Sequence, residues 1–224
     1  MTTGRRRRSE PRRSRWRFVE AIRRDYGRLA DDYELRWQTL NRLVRGWVLA
    51  HWPDGLAADA RVLDLGCGTG AFLASVAERH PGLELTGLDL TRALLTEARR
   101  RVPSARLVEG DAEAPPFDDG TFDVVCALNV LHHLHDRQAH VAVLARLCRP
   151  RGTIFFCTFA ADRSLAMRAA DLWLKRRNPG WRGMVSTAEA ERMLARDDRV
   201  SVRDRAELAA GFWRLQIFRI ERRP

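Results

Sequence analysis

The chain has 224 residues, 45% of them hydrophobic, and a formal net charge of +11. That length suits one α/β domain with a proper core and a small cap, and the hydrophobic share is ordinary for a globular protein. No apolar run approaches the ~20 residues of a bilayer span, and the twin arginines at Arg5 to Arg8 are not followed by the apolar stretch that a secretory leader needs.

The basic excess is concentrated at the start. Residues 1–17 carry eight Arg against Glu10. This stretch reads as a disordered, solvated Arg-rich tail, and its charge would also suit anionic membrane or nucleic acid. Lys175 is the sole lysine among 40 basic residues, a compositional bias that weakens any reading of a single arginine. From Phe18 to Trp52 apolar residues recur at helical spacing (Phe18, Ile22, Tyr26, Leu29, then Tyr33, Trp37, Leu40, Val44, Val48), which predicts two or three helices broken around Ala30 to Asp32. Pro53, Asp54 and Gly55 form a turn, so residues 18–55 make a helical segment ahead of a domain over 56–224.

Within that domain strands and helices alternate. A strand over 61–65 precedes a glycine loop, and a helix over 71–79 stops at Pro81-Gly82. The strand over 83–88 ends at Asp89, and Thr91 is placed to cap the helix through Arg101. A short strand over 106–109 leads to Gly110-Asp111. The strand over 122–128 is apolar enough to be buried on both faces. A helix over 137–147, a turn over 149–152 and a strand over 153–159 follow. This order gives βαβ units and a parallel sheet with helices on both faces. An arginine-rich helix over 163–177 carries Leu165, Ala169, Leu172 and Trp173 on one face, and Ser186-Thr187 opens another through Ala195. The end, 199–206 and 212–220 around a turn at 209–211, reads as an antiparallel hairpin. The expected fold is a Rossmann-like, seven-stranded, mostly parallel sheet with a C-terminal hairpin and an N-terminal helical lid. Cys67, Cys126, Cys148 and Cys157 form no C-x-x-C pair and no metal-ligand spacing. They read as buried free thiols, as a reducing cytoplasm allows.

Val62 to Gly70 reads VLDLGCGTG. Gly66, Cys67, Gly68, Thr69 and Gly70 follow a strand directly and open a helix, so the backbone can approach a ligand at the carboxyl end of the sheet. A dinucleotide fingerprint would read G-x-G-x-x-G and hold a pyrophosphate. Here the spacing is G-x-G-x-G and Asp64 stands just before it. A carboxylate there disfavours phosphate and favours a cation, such as the amino group of a methionine moiety. Asp89, at the end of the second strand, can accept hydrogen bonds from both ribose hydroxyls. Asp111, at the end of the third, can accept from an adenine amino group. Three acids at three consecutive strand ends describe an adenosine with a cationic tail.

These residues resemble the class I S-adenosylmethionine-dependent methyltransferases over residues 20–160, and more loosely over the hairpin. VLDLGCGTG is similar to the family's first motif and GLDL, with Asp89 and Leu90, to its second. EGDAEAPPFDDGTFDVV is similar to the third and fourth, which implies Asp111 and Ala112 at the adenine. ALNVLHHL is similar to the segment lining cofactor and substrate. The family's R-P-G-G turn reads Arg149-Pro150-Arg151-Gly152. Tyr26 to Glu34, YGRLADDYE, resembles the lid of the ubiquinone/menaquinone-biosynthesis-like small-molecule group, which implies Tyr26 or Tyr33 over the sulfonium; the same tyrosines also suit the core of an amphipathic helix.

The cofactor so implied is S-adenosyl-L-methionine, and the acceptor a small, apolar or aromatic molecule methylated on oxygen or carbon. His132 and His133 are candidate general bases, and Asn129 a hydrogen-bonding partner of cofactor or substrate. Trp37, Trp173, Trp181 and Trp213 either line an apolar pocket or pack in core and lid. The Asn/Asp-Pro-Pro-Tyr pattern of amino-group nucleic-acid methyltransferases is absent. An RNA-associated methyltransferase or RNA-binding protein using the basic tail, and a non-catalytic regulatory protein of the same fold, are the alternatives.

Overall fold

The computed structural model describes residues 12–29, 33–160 and 165–224. Seven strands form one sheet: β1 (Arg61–Leu65), β2 (Glu84–Asp89), β3 (Arg106–Glu109), β4 (Phe122–Leu128), β5 (Cys148–Phe159), β6 (Val200–Ala210) and β7 (Trp213–Arg222). Their order is β3-β2-β1-β4-β5-β7-β6. β1 to β5 are parallel, and β7 enters antiparallel between β5 and β6. The Rossmann-like sheet with a C-terminal hairpin is thus the one the sequence specifies.

The helices are α1 (Arg12–Leu29), α2 (Tyr33–Ala50), α3 (Ala71–Arg79), α4 (Arg92–Arg101), α5 (Arg137–Leu147), α6 (Leu165–Arg177) and α7 (Thr187–Ala195). Side chains alternate across a strand, so β4 feeds two cores. Val124 and Cys126 join Val44 and Val48 of α2 and Phe72 of α3 on one face. Val125 and Ala127 join Leu144 of α5 and Met193 of α7 on the other. Two helix starts are fixed by side-chain caps. Asp136 accepts from Ala139 N at 3.0 Å and Ser186 from Glu189 N at 3.1 Å, satisfying backbone donors with no helical partner. All four cysteines are free and buried, and burial pushes their thiols up, away from the reactive thiolate.

Several elements differ from the sequence reading. α1 starts at Arg12, inside the stretch read as tail, and residues 1–11 lie outside the described residues. The hairpin strands are longer, leaving only Gly211-Phe212 as the turn. Thr91 stands at the start of α4 without capping it; its hydroxyl bonds to the Asp89 carboxylate instead. α6 turns Leu165, Leu172 and Trp173 to solvent and buries Met167 and Asp171. An apolar face ordinarily turns inward. Here Asp171 anchors the opposite face, accepting from Trp181 Nε1 at 2.8 Å, Met184 N at 2.8 Å and Lys175 Nζ at 2.6 Å. Those donors hold the Asp171 carboxyl below its ordinary pKa against the effect of burial. Among the described residues no helix is long and apolar enough to cross a membrane.

β5 begins at Cys148 and carries the expected turn over 149–152 as an irregularity, where pairing with β4 jumps from Cys148 to Thr153. Arg151 takes a left-handed φ of 64° there. A Cβ on the next residue, Gly152, would lie 2.6 Å from Cys148 Sγ and 2.8 Å from the Asp123 carbonyl. Gly152→Ala is therefore expected to cost about 1–3 kcal/mol of stability through overpacking. Arg151→Gly removes a strained side chain and should hold stability level or raise it by up to ~1 kcal/mol. Urea unfolding of the two variants checks both.

Candidate functional site

The site lies at the carboxyl ends of β1, β2 and β4. Register sets it up: Asp64 of β1 pairs with Gly87 of β2, so Asp89, two residues on, points up beside the loop that leaves β1. That loop folds onto the end of β2. Gly66 N and Cys67 N both donate to the Leu88 carbonyl, at 2.7 and 3.0 Å. Gly66 has φ +78°, and a Cβ there would sit 2.4 Å from Val130 Cγ2. Any side chain would both strain the turn and lift it from the 130 segment.

Asp89 is held tightly. Its Oδ2 accepts from Gly68 N at 2.9 Å and its Oδ1 from Thr91 N at 2.8 Å. Burial raises its pKa, and these hydrogen bonds oppose the rise. The Thr91 hydroxyl and the Leu90 N–H donate to the same carboxylate, so its acceptor sites are well supplied by the protein. Asp64 is different. It is buried, and its Oδ1 has no hydrogen-bond partner. Burial, and then the charge of Asp89, push its pKa up to about 8. A buried acid left without a partner is costly unless a ligand answers it.

Three recesses meet here. The largest, about 720 Å³ counted out to open solvent, is bounded by Phe18 and Ile22 of α1, Asp89, and the Asp111–Glu113 turn. Ala112 and Leu90 line it too, and Asp111 Oδ1 accepts from Glu113 N at 2.9 Å, which fixes that turn. The second, about 480 Å³, holds Asp64, Cys67, Thr69 and, from α2, Asn41 and Arg45. The third, about 300 Å³, is walled by Trp37, Phe159, Trp181, Tyr26 and His132. Asn129 lines all three, and Gly66 and Gly68 line the first two. Asn129 has a left-handed φ of 60°, a conformation Asn tolerates better than most residues and one often found at functional sites. Its N–H donates to the Cys157 carbonyl at 3.0 Å. Gly70 starts α3 behind the loop and lines none of the three.

The two histidines differ sharply. His133 Nδ1 meets the Gly180 carbonyl at 2.6 Å and its Nε2 meets the Tyr26 hydroxyl at 2.5 Å. A carbonyl can only accept, so Nδ1 carries the proton and Tyr26 donates to Nε2. Burial lowers its pKa to about 4. Both nitrogens are spent on holding α1 over the site. His132 faces the third recess, with its ring 4.5 Å from that of Trp181. Its Nδ1 is buried without a partner, and burial lowers its pKa well below the ordinary histidine value.

Most residues singled out in the sequence come together. Tyr26 reaches the first and third recesses, whereas the Tyr33 side chain lies outside the described residues. Trp37 and Trp181 wall the third recess, and Trp213 packs behind them, 5.7 Å from Trp37 and 5.3 Å from Phe159 between ring centroids. Trp173 points to solvent. Asn41 and Arg45 were missed; helical spacing put Val44 on the buried face but said nothing of its neighbour. Phe18 and Ile22 were read only as helix-forming apolar positions.

Known proteins fit this geometry. A family model described as a methyltransferase domain matches residues 63–156. The chain is 33% identical over 178 residues to a malonyl-[acyl-carrier protein] O-methyltransferase of Enterobacter lignolyticus, covering 80% of this chain and 65% of that protein. It is 30% identical over 177 residues to a demethylmenaquinone methyltransferase of Chlorobaculum tepidum, covering 74% of this chain and 71% of that one. Against a Legionella pneumophila malonyl-[acyl-carrier protein] O-methyltransferase the chain spans 53% of the relative's length. Among solved structures, the YcgJ protein of Bacillus subtilis superposes with a TM-score of 0.67 at 18% identity, over 82% of this chain and 99% of that one. A geranyl diphosphate C-methyltransferase of Streptomyces coelicolor, solved with S-adenosyl-L-homocysteine, reaches a TM-score of 0.68 at 15% identity, over 82% and 81%. With the strand order, the glycine loop and its acids on one side and these relatives on the other, the chain belongs to the class I S-adenosylmethionine-dependent methyltransferases.

Proposed function

We propose that this chain transfers a methyl group from S-adenosylmethionine to a small apolar or aromatic acceptor held in the third recess. The observation that carries this reading is the meeting of three recesses at Asn129, one of them containing a buried acid with an unpartnered oxygen. The residues fit the donor. Asp89 would take the ribose hydroxyls, with the adenine between Phe18 and the Asp111–Ala112 turn. Asp64 would face the amino group of the methionine tail and Arg45 its carboxylate, so each charge of the zwitterion meets its opposite. The bound donor supplies a methyl group on positively charged sulfur, already activated for in-line displacement.

The protein's work is then mainly alignment, which for well-oriented reactants is worth several powers of ten in rate. The loop pinned to Leu88 and the lid strut from Tyr26 to His133 exclude water and fix one partner. The aromatic walls position the other. Among the described residues no charged side chain lines the third recess, which favours a neutral aromatic or isoprenoid-like acceptor over a carboxylate that would need a cation there. His132 is the one imidazole open to that recess. Held neutral, it would accept a hydrogen bond from an acceptor hydroxyl and orient the oxygen, or an adjacent ring carbon, toward the methyl.

Calorimetric titration with S-adenosylmethionine tests the donor site. The folded state binds the Asp64 proton more tightly than the unfolded chain does, so this group's contribution to stability falls as pH rises from the ordinary carboxylate value to about 8. A cation beside Asp64 reverses that preference. Binding near pH ~7 should therefore release a substantial fraction of a proton, detected as a dependence of heat on buffer. Release should fade above the Asp64 pKa of about 8 and vanish in Asp64→Asn. Asp89→Ala should weaken binding at least ~10-fold. A folded chain that binds no S-adenosylmethionine would favour the non-catalytic reading.

The histidines make a second prediction. With His133 lowered to about 4 and His132 also lowered, both stay neutral across neutral pH. At saturating donor, kcat should show no histidine inflection between about pH 6 and 8. His132→Phe, which keeps the ring packing, should lower kcat roughly 10-fold or more on a hydroxyl acceptor and leave donor affinity unchanged. An inflection near ~6.5 in the wild-type profile would contradict the buried, neutral imidazole.

A further inference from the structure

We infer that the outward face of α6 docks on an anionic lipid surface. Leu165 is 83% exposed, Leu172 50% and Trp173 55%. At 3.6 residues per turn Leu165, Ala169 and Leu172 line up along one side of the helix, with Trp173 at their edge. Large side chains of this kind are costly to leave in water when contiguous, and such patches mark interaction surfaces.

The charges around the patch choose the partner. Arg168 flanks it on one side, Arg176 and Arg177 close its end, and the Arg177 guanidinium sits 5.3 Å over the Trp173 ring. The only acid of α6, Asp171, is turned inward and bonded to Lys175, Trp181 and Met184. Among the described residues the outer face of α6 therefore presents cations and apolar groups and no carboxylate. Leucines and a tryptophan edged by arginines match the boundary of a bilayer, where apolar groups enter the acyl region, the indole sits at headgroup depth and guanidinium groups reach anionic phosphates. A nucleic acid would satisfy the cations and leave the leucines in water.

The position of the helix gives this face a use. Its buried side, Met167 and Asp171, packs on Trp181, which walls the acceptor recess. A membrane held by the outer face would lie about one helix diameter, ~10 Å, from that wall. An acceptor dissolved in a bilayer would then reach the site without crossing water. This last step rests on the reading of the third recess; the docking itself does not.

Co-sedimentation of the full chain with vesicles is the test. The wild type should bind vesicles of equimolar phosphatidylcholine and phosphatidylglycerol, and bind pure phosphatidylcholine vesicles far less. The double variant Leu172→Ser/Trp173→Ser removes no charge and touches neither donor nor acceptor site. It should lose at least ~10-fold in affinity for the anionic vesicles, the scale of two large apolar side chains left in water, while binding S-adenosylmethionine as the wild type does. Binding that survives in the double variant would mean that the Arg-rich tail alone holds the membrane, and would overturn the inference. Equal binding to both vesicle types would overturn it as well. So would a double variant that loses turnover only on acceptors tethered to an acidic carrier protein while keeping vesicle binding, which would assign the face to a protein partner. Loss of donor binding in the wild type would sink the functional reading and leave the vesicle result standing.

Discussion

Two buried carboxylates at the ends of adjacent parallel strands govern the site. Asp64 and Asp89 cannot both carry full charge cheaply in a buried setting. The protein resolves this by supplying backbone donors to one and none to the free oxygen of the other. The donors to Asp89 come from the loop after β1 and from the start of α4, so the same contacts that oppose the rise of its pKa on burial also pin the glycine loop to β2. Asp64 is left raised in pKa, waiting for a cation. In the proposed reading, selectivity for a donor with a positive tail would follow from that asymmetry more than from the shape of the loop.

The aromatic recess and the lid depend on a second arrangement. β4 ends in a left-handed Asn129, and the short turn beyond it sends His132 and His133 in different directions. One imidazole becomes a strut between Tyr26 of α1 and the Gly180 carbonyl. The other stays in the recess with an orphaned nitrogen. Adjacent residues of the same type thus divide structure from recognition, and burial keeps both uncharged. In the proposed reading, a recess walled by aromatic rings and lined, among the described residues, by no charged side chain would keep the electrostatic attraction on the donor side and leave the acceptor to shape and stacking.

Much of this was legible in the sequence, for physical reasons. Asp64 and Asp89 stand at the ends of short apolar strand-like runs and Asp111 follows the short strand over 106–109, so their place near strand ends was readable from local pattern. The glycine spacing and the helix start at Ser186-Thr187 are equally local. What the sequence concealed depends on partners far along the chain. The inward face of α6 is chosen by Asp171, whose donors Trp181 and Met184 lie beyond the helix; periodicity alone favours the opposite face. Arg45 meets the Asp64 recess only because α2 crosses above the loop, and one arginine among so many carries no signal of its own. The roles of His132 and His133 differ through contacts with Tyr26 and Gly180, neither of which their spacing reveals.

In the proposed reading the Asp64 recess takes the amino-acid tail of the donor, and the reacting methyl group looks past Asn129 into the aromatic recess. A crystal structure of the chain with S-adenosylhomocysteine tests it directly. The amino group is expected against Asp64, the carboxylate toward Arg45, the ribose on Asp89, and the sulfur facing Trp37 and Trp181 with that recess open. A ligand lying the other way round, or one whose sulfur turns away from Asn129, would contradict it.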